Sequence, residues 1–556
     1  MYTVGLDYGT NSIRALLVRA SDGSEVGIGI AQYSHGTSGV LLDSRNPDLA
    51  RQHPQDYLDG AIEAMRCALA SAAENNPRFS PLQVVGIGVD TTGSTPLPVD
   101  AQGRALTDLP RFANNPNAMA WLWKDHTATS EARSLTDAAL SEFPQYLKRC
   151  GGAYSSEWFW SKIWHCAVVD PEVSHAAASW IELADWIPAI LTGTESHPVR
   201  GICAAGHKGL YHESWGGFPS FEFLARRHPK LGELRTQLHG HSCVAVDQVA
   251  GTLTVEWAAK LGLQPGIPVA VGAIDAHLGA VGSGIEPGTL VKILGTSTCD
   301  MMVHPLAQSL ADIPGICGIV PSSIVPGYYG LEAGQSAVGD LFNWFIDNLG
   351  PTEATHESLT AEASQLLPGE SGLLALDWNN GNRTVLADQR LTGLLLGQTL
   401  ATRPAHIYRA LIEATAFGAR IIMERFEEHG VAVQRVVTCG GIAEKSPLVM
   451  QVYADVTGRP MLLSRSSQTC ALGAAITGAV AARLHPDIPA AQRAMTGIRE
   501  ATYRPNPASQ RVYQELFKLY RCLHDAFGMG QPTMDMALIM KQLLQLRDRA
   551  RSGFLG

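Results

Sequence analysis

The chain is 556 residues long, 46% hydrophobic and 17% charged, with a formal net charge of −10. At about 100–200 residues per domain this length predicts several packing units, most economically two large lobes, and the apolar content excludes extensive disorder. The acidic balance excludes nucleic acid and an anionic membrane as partners, since both need a positive field. It leaves phosphate sites open, because loop N–H groups and a bound cation hold phosphate without a basic surface.

The first thirty residues predict a β-meander. Thr3–Asp7 and Ile13–Ala20 are apolar runs around Tyr8-Gly9-Thr10-Asn11-Ser12, and Ser21-Asp22-Gly23 turns the chain into Glu25–Ile30. This opening has no basic leader, and the ten scattered cysteines form no CxxC pair, so a cytoplasmic protein with reduced thiols is expected. A helix follows from Pro54, with Leu58, Ala61, Met65, Leu69 and Ala72 at helical spacing, until Asn75-Asn76-Pro77 ends it. Val84–Val89 predicts a buried strand ending at Asp90, followed by the polar loop Thr91-Thr92-Gly93-Ser94-Thr95. Strand, crossover helix and strand define an α/β sheet with a ligand crevice at its strand ends.

Residues 105–265 are rich in Trp and weak in periodicity. The pattern returns at Val269–Ala273, which runs into Ile274-Asp275-Ala276-His277. Gly266–Ile285 is poorly charged, but Pro268, Asp275 and His277 exclude a membrane span. Leu290–Leu294 and Asp300–Val303 then bracket Gly295-Thr296-Ser297-Thr298-Cys299, repeating the strand, Gly-Thr turn and strand of the N-terminus. A repeat at the head of each half predicts a duplicated α/β domain with a cleft between the copies. The expected division is 1–284, 285–500 and a helical tail over 501–556. A helix lined by Ile407, Leu411, Ala414, Gly418 and Ile421 follows. Next come a strand at Val436–Cys439, the segment Gly440-Gly441-Ile442-Ala443-Glu444-Lys445-Ser446, and a small-residue helix over Cys470–Leu484.

Several segments have the chemistry of a phosphate site. In the first turn Gly9 admits an anion close to the backbone, Thr10 and Ser12 offer hydroxyls, and Asp7 is placed to hold Mg²⁺ through water. An ordinary hairpin has the same residues. Gly295-Thr296 supplies a second turn of this kind, and two facing turns can clamp one triphosphate. Gly440-Gly441 lets a flat ring lie against the backbone, and Ser446 can cap the helix from Pro447; a structural Gly-Gly turn reads alike. Asp275, after a buried strand, suits a general base or a helix cap. His277, Trp123 and Trp158 read as structural.

In order, Asp-x-Gly-Thr-x-Ser, the Asp275 segment, Gly-Thr-Ser and Gly-Gly-x-Ala resemble the FGGY carbohydrate kinases of the actin-like ATPase superfamily. A second signature of that family is similar to Gly393-Leu394-Leu395-Leu396-Gly397 with His406-Ile407 and Ala410–Glu413, departing at Gln398. Ala205-Gly206-His207-Lys208-Gly209 and Gly330-Leu331-Glu332-Ala333-Gly334-Gln335-Ser336 resemble the bacterial kinases of L-ribulose within the family. The resemblance implies a two-lobe actin-like ATPase (ribonuclease H-like) fold, ATP with Mg²⁺ as cofactors, and a ketopentose substrate. It makes Asp275 the catalytic base and Asp7 the residue assisting the metal. Gly9, Thr10, Asn11, Gly295 and Thr296 would line the phosphates, with Gly440, Gly441 and Lys445 near the nucleotide. Gly93, Ser94, Lys208, Asp275 and Glu332 would meet the sugar. Rival readings are a kinase of D-ribulose, xylulose or a pentitol, and an actin-like ATPase that has no sugar acceptor. A homodimer is compatible with the sequence.

Overall fold

The computed structural model describes residues 1–238, 240, 242–531 and 535–552. The predicted meander is present as β1 (Tyr2–Tyr8), β2 (Ser12–Arg19) and β3 (Glu25–Gln32), all antiparallel. Helix α1 (Pro54–Asn75) begins on its proline, where a missing N–H costs nothing, and buries Tyr57, Ala61, Met65, Ala68 and Ala72. It returns the chain to β4 (Val84–Thr91), parallel to β1.

An insertion with its own aromatic core follows. Trp121, Trp160, Trp180, Tyr146 and Phe223 pack together there, so short helices and loops are held by ring contacts rather than by long amphipathic stripes. Its helix α2 (Ile202–Gly209) leads back to β5 (Val249–Thr252), β6 (Pro268–Ala270), β7 (Ala273–Ile274) and α3 (Asp275–Gly282). The first sheet has the order β5-β6-β4-β1-β2-β3, with β7 also beside β4. The strand expected over Val269–Ala273 is thus split in two.

The second half contains β8 (Thr289–Leu294), β9 (Thr298–Pro305), β10 (Gly318–Pro321), β11 (Tyr328–Ala333) and α4 (Pro404–Glu428). It continues through β12 (Arg435–Cys439), α5 (Gly441–Lys445), α6 (Pro447–Thr457), β13 (Met461–Ser464), α7 (Thr469–Ala481), β14 (Ile498–Tyr503) and α8 (Pro507–Met529). The sheet order is β10-β11-β9-β8-β12-β13-β14. The run β11-β9-β8-β12-β13 repeats β3-β2-β1-β4-β6 strand for strand. In each, two antiparallel pairings precede two parallel ones. The duplication expected from two Gly-Thr turns is therefore a duplication of topology.

Helices α3 and α7 lie between the sheets. One apolar cluster joins Leu16 and Val18 of β2, Val291 of β8, Val437 of β12, Leu278 and Val281 of α3, and Ala471, Ala474 and Ile476 of α7. Although α7 falls within the second half of the chain, it rests on β1 and β4. The approach is close: a Cβ on Gly5 would lie 1.8 Å from the Ala471 carbonyl oxygen, and one on Gly88 1.8 Å from that of Ala474. This explains the small residues of the segment. Helix α8 buries Tyr513, Leu516, Tyr520 and Leu523 in the second core, against Phe417 of α4. Among the described residues no helix is long and apolar enough to cross a membrane.

Candidate active site

The β1–β2 turn is built by local closure and distant support. The Gly9 N–H donates to the Ser12 carbonyl at 3.0 Å, closing the hairpin. Gln52 Nε2 donates to the Thr10 carbonyl at 2.7 Å, and Trp123 Nε1 donates to Thr10 Oγ1 at 3.0 Å. Asn11 stays exposed, its Nδ2 donating to the Ser38 carbonyl at 2.6 Å. Trp123, expected only to pack, thus props the phosphate-type turn.

Carboxyl groups gather at the strand ends behind this turn. Asp7 faces Arg14 across the β1–β2 ladder, with Nη1 3.6 Å from Oδ2. Asp90 is its register partner on β4. Asp90 is fully buried, and neither of its oxygens meets an N–H or hydroxyl donor; the group close enough to share a proton with it is the Asp7 carboxyl. Asp275 is the first residue of α3, where its Oδ1 accepts from the Ala276 N–H at 2.6 Å. Burial raises Asp7 above the ordinary carboxylate range against the pull of Arg14. Burial, then the Asp7 and Asp275 charges, raise Asp90 well above it. Burial and the Asp7 charge push Asp275 up to about 7. Carboxylate oxygens, one pair unsatisfied, with a lone guanidinium nearby fit the preferences of a hard divalent cation such as Mg²⁺.

The second turn mirrors the first. The Gly295 N–H donates to the Ser297 carbonyl at 3.0 Å, while the Thr296 carbonyl accepts from Val338 N–H at 2.8 Å and Asp340 N–H at 3.1 Å. The side of Gly295 where a side chain would stand is open: a Cβ there would meet only the Ser297 oxygen, at 3.7 Å. Gly440 has a φ of +94° and abuts Leu294, so the Gly-Gly segment lies against the base of this turn. A Cβ on Gly441 would find no heavy atom within 4 Å. Lys445 is exposed on α5, and Ser446 caps α6 as expected, its Oγ accepting from the Val449 N–H at 3.4 Å.

On the other side of Asp275, Lys208 of α2 and Glu332 of β11 form a buried ion pair, with Nζ 2.8 and 3.0 Å from the two carboxylate oxygens. His207 Nδ1 lies 3.2 Å and His277 Nε2 3.6 Å from Glu332 Oε2, and the Lys208 ammonium lies 5.5 Å from the Trp158 ring. Burial opposes the charge of Glu332, but Lys208 and His207 outweigh it and hold this carboxyl well below the usual range. The pair joins the insertion of the first half to the sheet of the second. His277 and Trp158, read from sequence as structural, belong to this cluster.

Gly93 and Ser94 form the wall behind. A Cβ on Gly93 would fall 2.6 Å from the side chain of Ile274, the neighbour of Asp275. The Ser94 hydroxyl donates to Glu182, and the buried Lys162 ammonium donates to the Ser94 and Leu122 carbonyls, each at 2.8 Å. Ser94 is thus committed to Glu182, and its loop is held from beneath. The roles of Glu182 and Lys162 are not legible in the sequence, since each acts across a long separation.

Comparison with known proteins places this geometry. Residues 290–482 match the C-terminal domain of the FGGY family of carbohydrate kinases. A ribulokinase of Vibrio parahaemolyticus is 45% identical over 94% of this chain and 95% of its own length. One of Shouchella clausii is 42% identical over 99% of both chains. Among solved structures, a xylulose kinase from Rhodospirillum rubrum superposes with a TM-score of 0.77 at 24% identity, covering 95% of this chain and 99% of its own. Plasmodium falciparum glycerol kinase with ADP gives a TM-score of 0.74 at 14% identity, covering 96% and 99%. The two-lobe fold expected from the sequence is the fold of these sugar kinases.

Proposed function

The chain belongs to the FGGY family of carbohydrate kinases, and on that premise we propose that it transfers the γ-phosphoryl group of ATP to the terminal hydroxyl of L-ribulose, giving L-ribulose 5-phosphate. The observation that carries this substrate is the near-full-length likeness to ribulokinases. The geometry supports it: the half-buried carboxyl of Asp275 at a helix start feels the charge of Asp7, beside the first glycine turn, and those of the buried Lys208–Glu332 pair.

In this reading Asp275 takes the proton of the attacking hydroxyl as its bond to the γ-phosphorus forms and the bond from that phosphorus to the bridging oxygen breaks, ADP leaving. Lys208 and Glu332 offer donors and acceptors to the sugar hydroxyls, and the loop of Gly93 and Ser94 shapes the wall behind them. Gly9, Thr10, Asn11, Gly295 and Thr296 line the phosphates. Gly440, Gly441 and Lys445 lie along the nucleotide. Asp7 would hold Mg²⁺, which would neutralise phosphate charge when bound. Residues 1–284 form the sugar-side lobe and 285–500 the nucleotide-side lobe, with α7 reaching back onto the first sheet.

An actin-like ATPase with no acceptor is the rival reading. Such a protein has no use for a base beside a buried Lys–Glu pair. Release of ADP measured with and without L-ribulose separates the two. Strong stimulation by the sugar is expected, and equal ADP release in its absence would overturn the kinase reading.

A further inference from the structure

Asp90 has no part in the transfer described above, yet it stands beside two carboxyl groups that do. It is 0% exposed, neither of its oxygens meets an N–H or hydroxyl donor, and the Asp7 carboxyl, its neighbour across the parallel ladder, is close enough to share a proton with it. Asp275 is near enough for its charge to act on Asp90. The guanidinium of Arg14, on the far side of Asp7, acts on both Asp7 and Asp90. Asp7 and Asp90 are both buried and share one nearby guanidinium, so ionising both calls for a further cation. Buried charges are paired, neutralised or bound to metal, because an unpaired one loses its hydration for nothing. Other polar groups of the cluster are satisfied: Asp275 accepts from Ala276, and Asp7 has Arg14.

We propose that Asp90 is a ligand, together with Asp7, of the divalent cation that serves this site. Two carboxylate oxygens with retained waters form the donor set that Mg²⁺ and Mn²⁺ accept. Asp7 is 8% exposed and Asp90 not at all, so solvent reaches the pair from the Asp7 side. The alternative occupant is a proton on Asp90, shared with Asp7; an asparagine would supply that donor equally well.

The identity of the ion rests on the kinase reading, but its binding can be measured without nucleotide, sugar or turnover. Loss of the free Mn²⁺ electron paramagnetic resonance signal is titrated with wild type, Asp90→Asn, Asp90→Ser and Asp7→Asn, folding being checked by circular dichroism. The wild type should bind one Mn²⁺ per chain, displaced by Mg²⁺. Asp90→Asn and Asp90→Ser should each weaken it at least ~10-fold, as loss of metal-site groups does. Wild-type affinity in Asp90→Asn would overturn the proposal and leave Asp90 as the proton-bearing partner of Asp7. A wild type that holds no Mn²⁺ below about 1 mM would overturn it too. Sugar-dependent ADP release is assayed separately on the wild type. Cation binding without such release would fail the kinase reading alone.

Discussion

Asp275 sits where two effects oppose. The free N–H groups in the first turn of α3 favour its anion, while burial favours the acid, and burial wins, with the carboxyl near 7. A general base works only when deprotonated. Log kcat/KM should therefore fall with unit slope as pH drops below about 7 and level off above it. Asp275→Asn should lower turnover at least ~10²-fold with little change in sugar affinity. Near-wild-type turnover in the folded variant would remove Asp275 from the chemistry. Lys208→Ala and Glu332→Gln should raise the L-ribulose KM at least ~10-fold, equivalent to ~1.4 kcal/mol, with the ATP KM little changed. Because the two are bonded in the fold, Lys208→Ala also strands a buried carboxylate and should lower the Tm, Glu332→Gln less so. Sugar and ATP constants rising together would mean that the pair acts on lobe closure. Asp7, Asp275 and Lys208 are readable because each lies in a short motif. Asp90, Trp123 and Glu182 are not, since their meaning comes from partners far along the chain; Trp123 and Thr10 are separated by 113 positions.

Among elements, the strands and glycine turns were legible because apolar runs end at Gly, Pro and Asn. The two turns differ in one testable respect. A Cβ on Gly9 would already lie 3.2 Å from the Ser12 oxygen, whereas Gly295 faces open space. Gly295→Val should therefore keep its fold and lose binding of ATP with Mg²⁺, because the branched side chain fills the place proposed for phosphate oxygens. Unaltered binding by calorimetry would dismiss the second turn as a phosphate site. The seat of α7 was not legible. Its small residues announce close packing but do not say that the partner is the other half's sheet. The tail is helical as expected, and the buried face of α8 makes its first helix part of the second core, which the sequence did not foretell.

At the scale of the molecule, the repeated Gly-Thr turn foretold a duplicated topology, and the structure supplies the matching strand orders. The insertion stayed opaque because its core is a cluster of rings rather than a periodic stripe. The side proposed for the sugar is already bridged by Lys208 and Glu332, while Asn11, Gly441 and Lys445 are exposed on the side proposed for the nucleotide. Phosphoryl transfer needs water excluded, so L-ribulose with a non-hydrolysable nucleotide should reduce the radius of gyration in small-angle scattering. No contraction at saturation would count against a hinged pair of lobes.

The most direct measurement is an NMR analysis of the product formed from ATP and L-ribulose, set against D-ribulose and xylulose under the same conditions. The expected product has phosphorus coupled to carbon 5 of L-ribulose, is formed one-for-one with ADP, and arises with a higher kcat/KM than from the other sugars. ADP without a sugar phosphate, phosphate on a different carbon, or a higher kcat/KM for D-ribulose or xylulose would contradict the assignment.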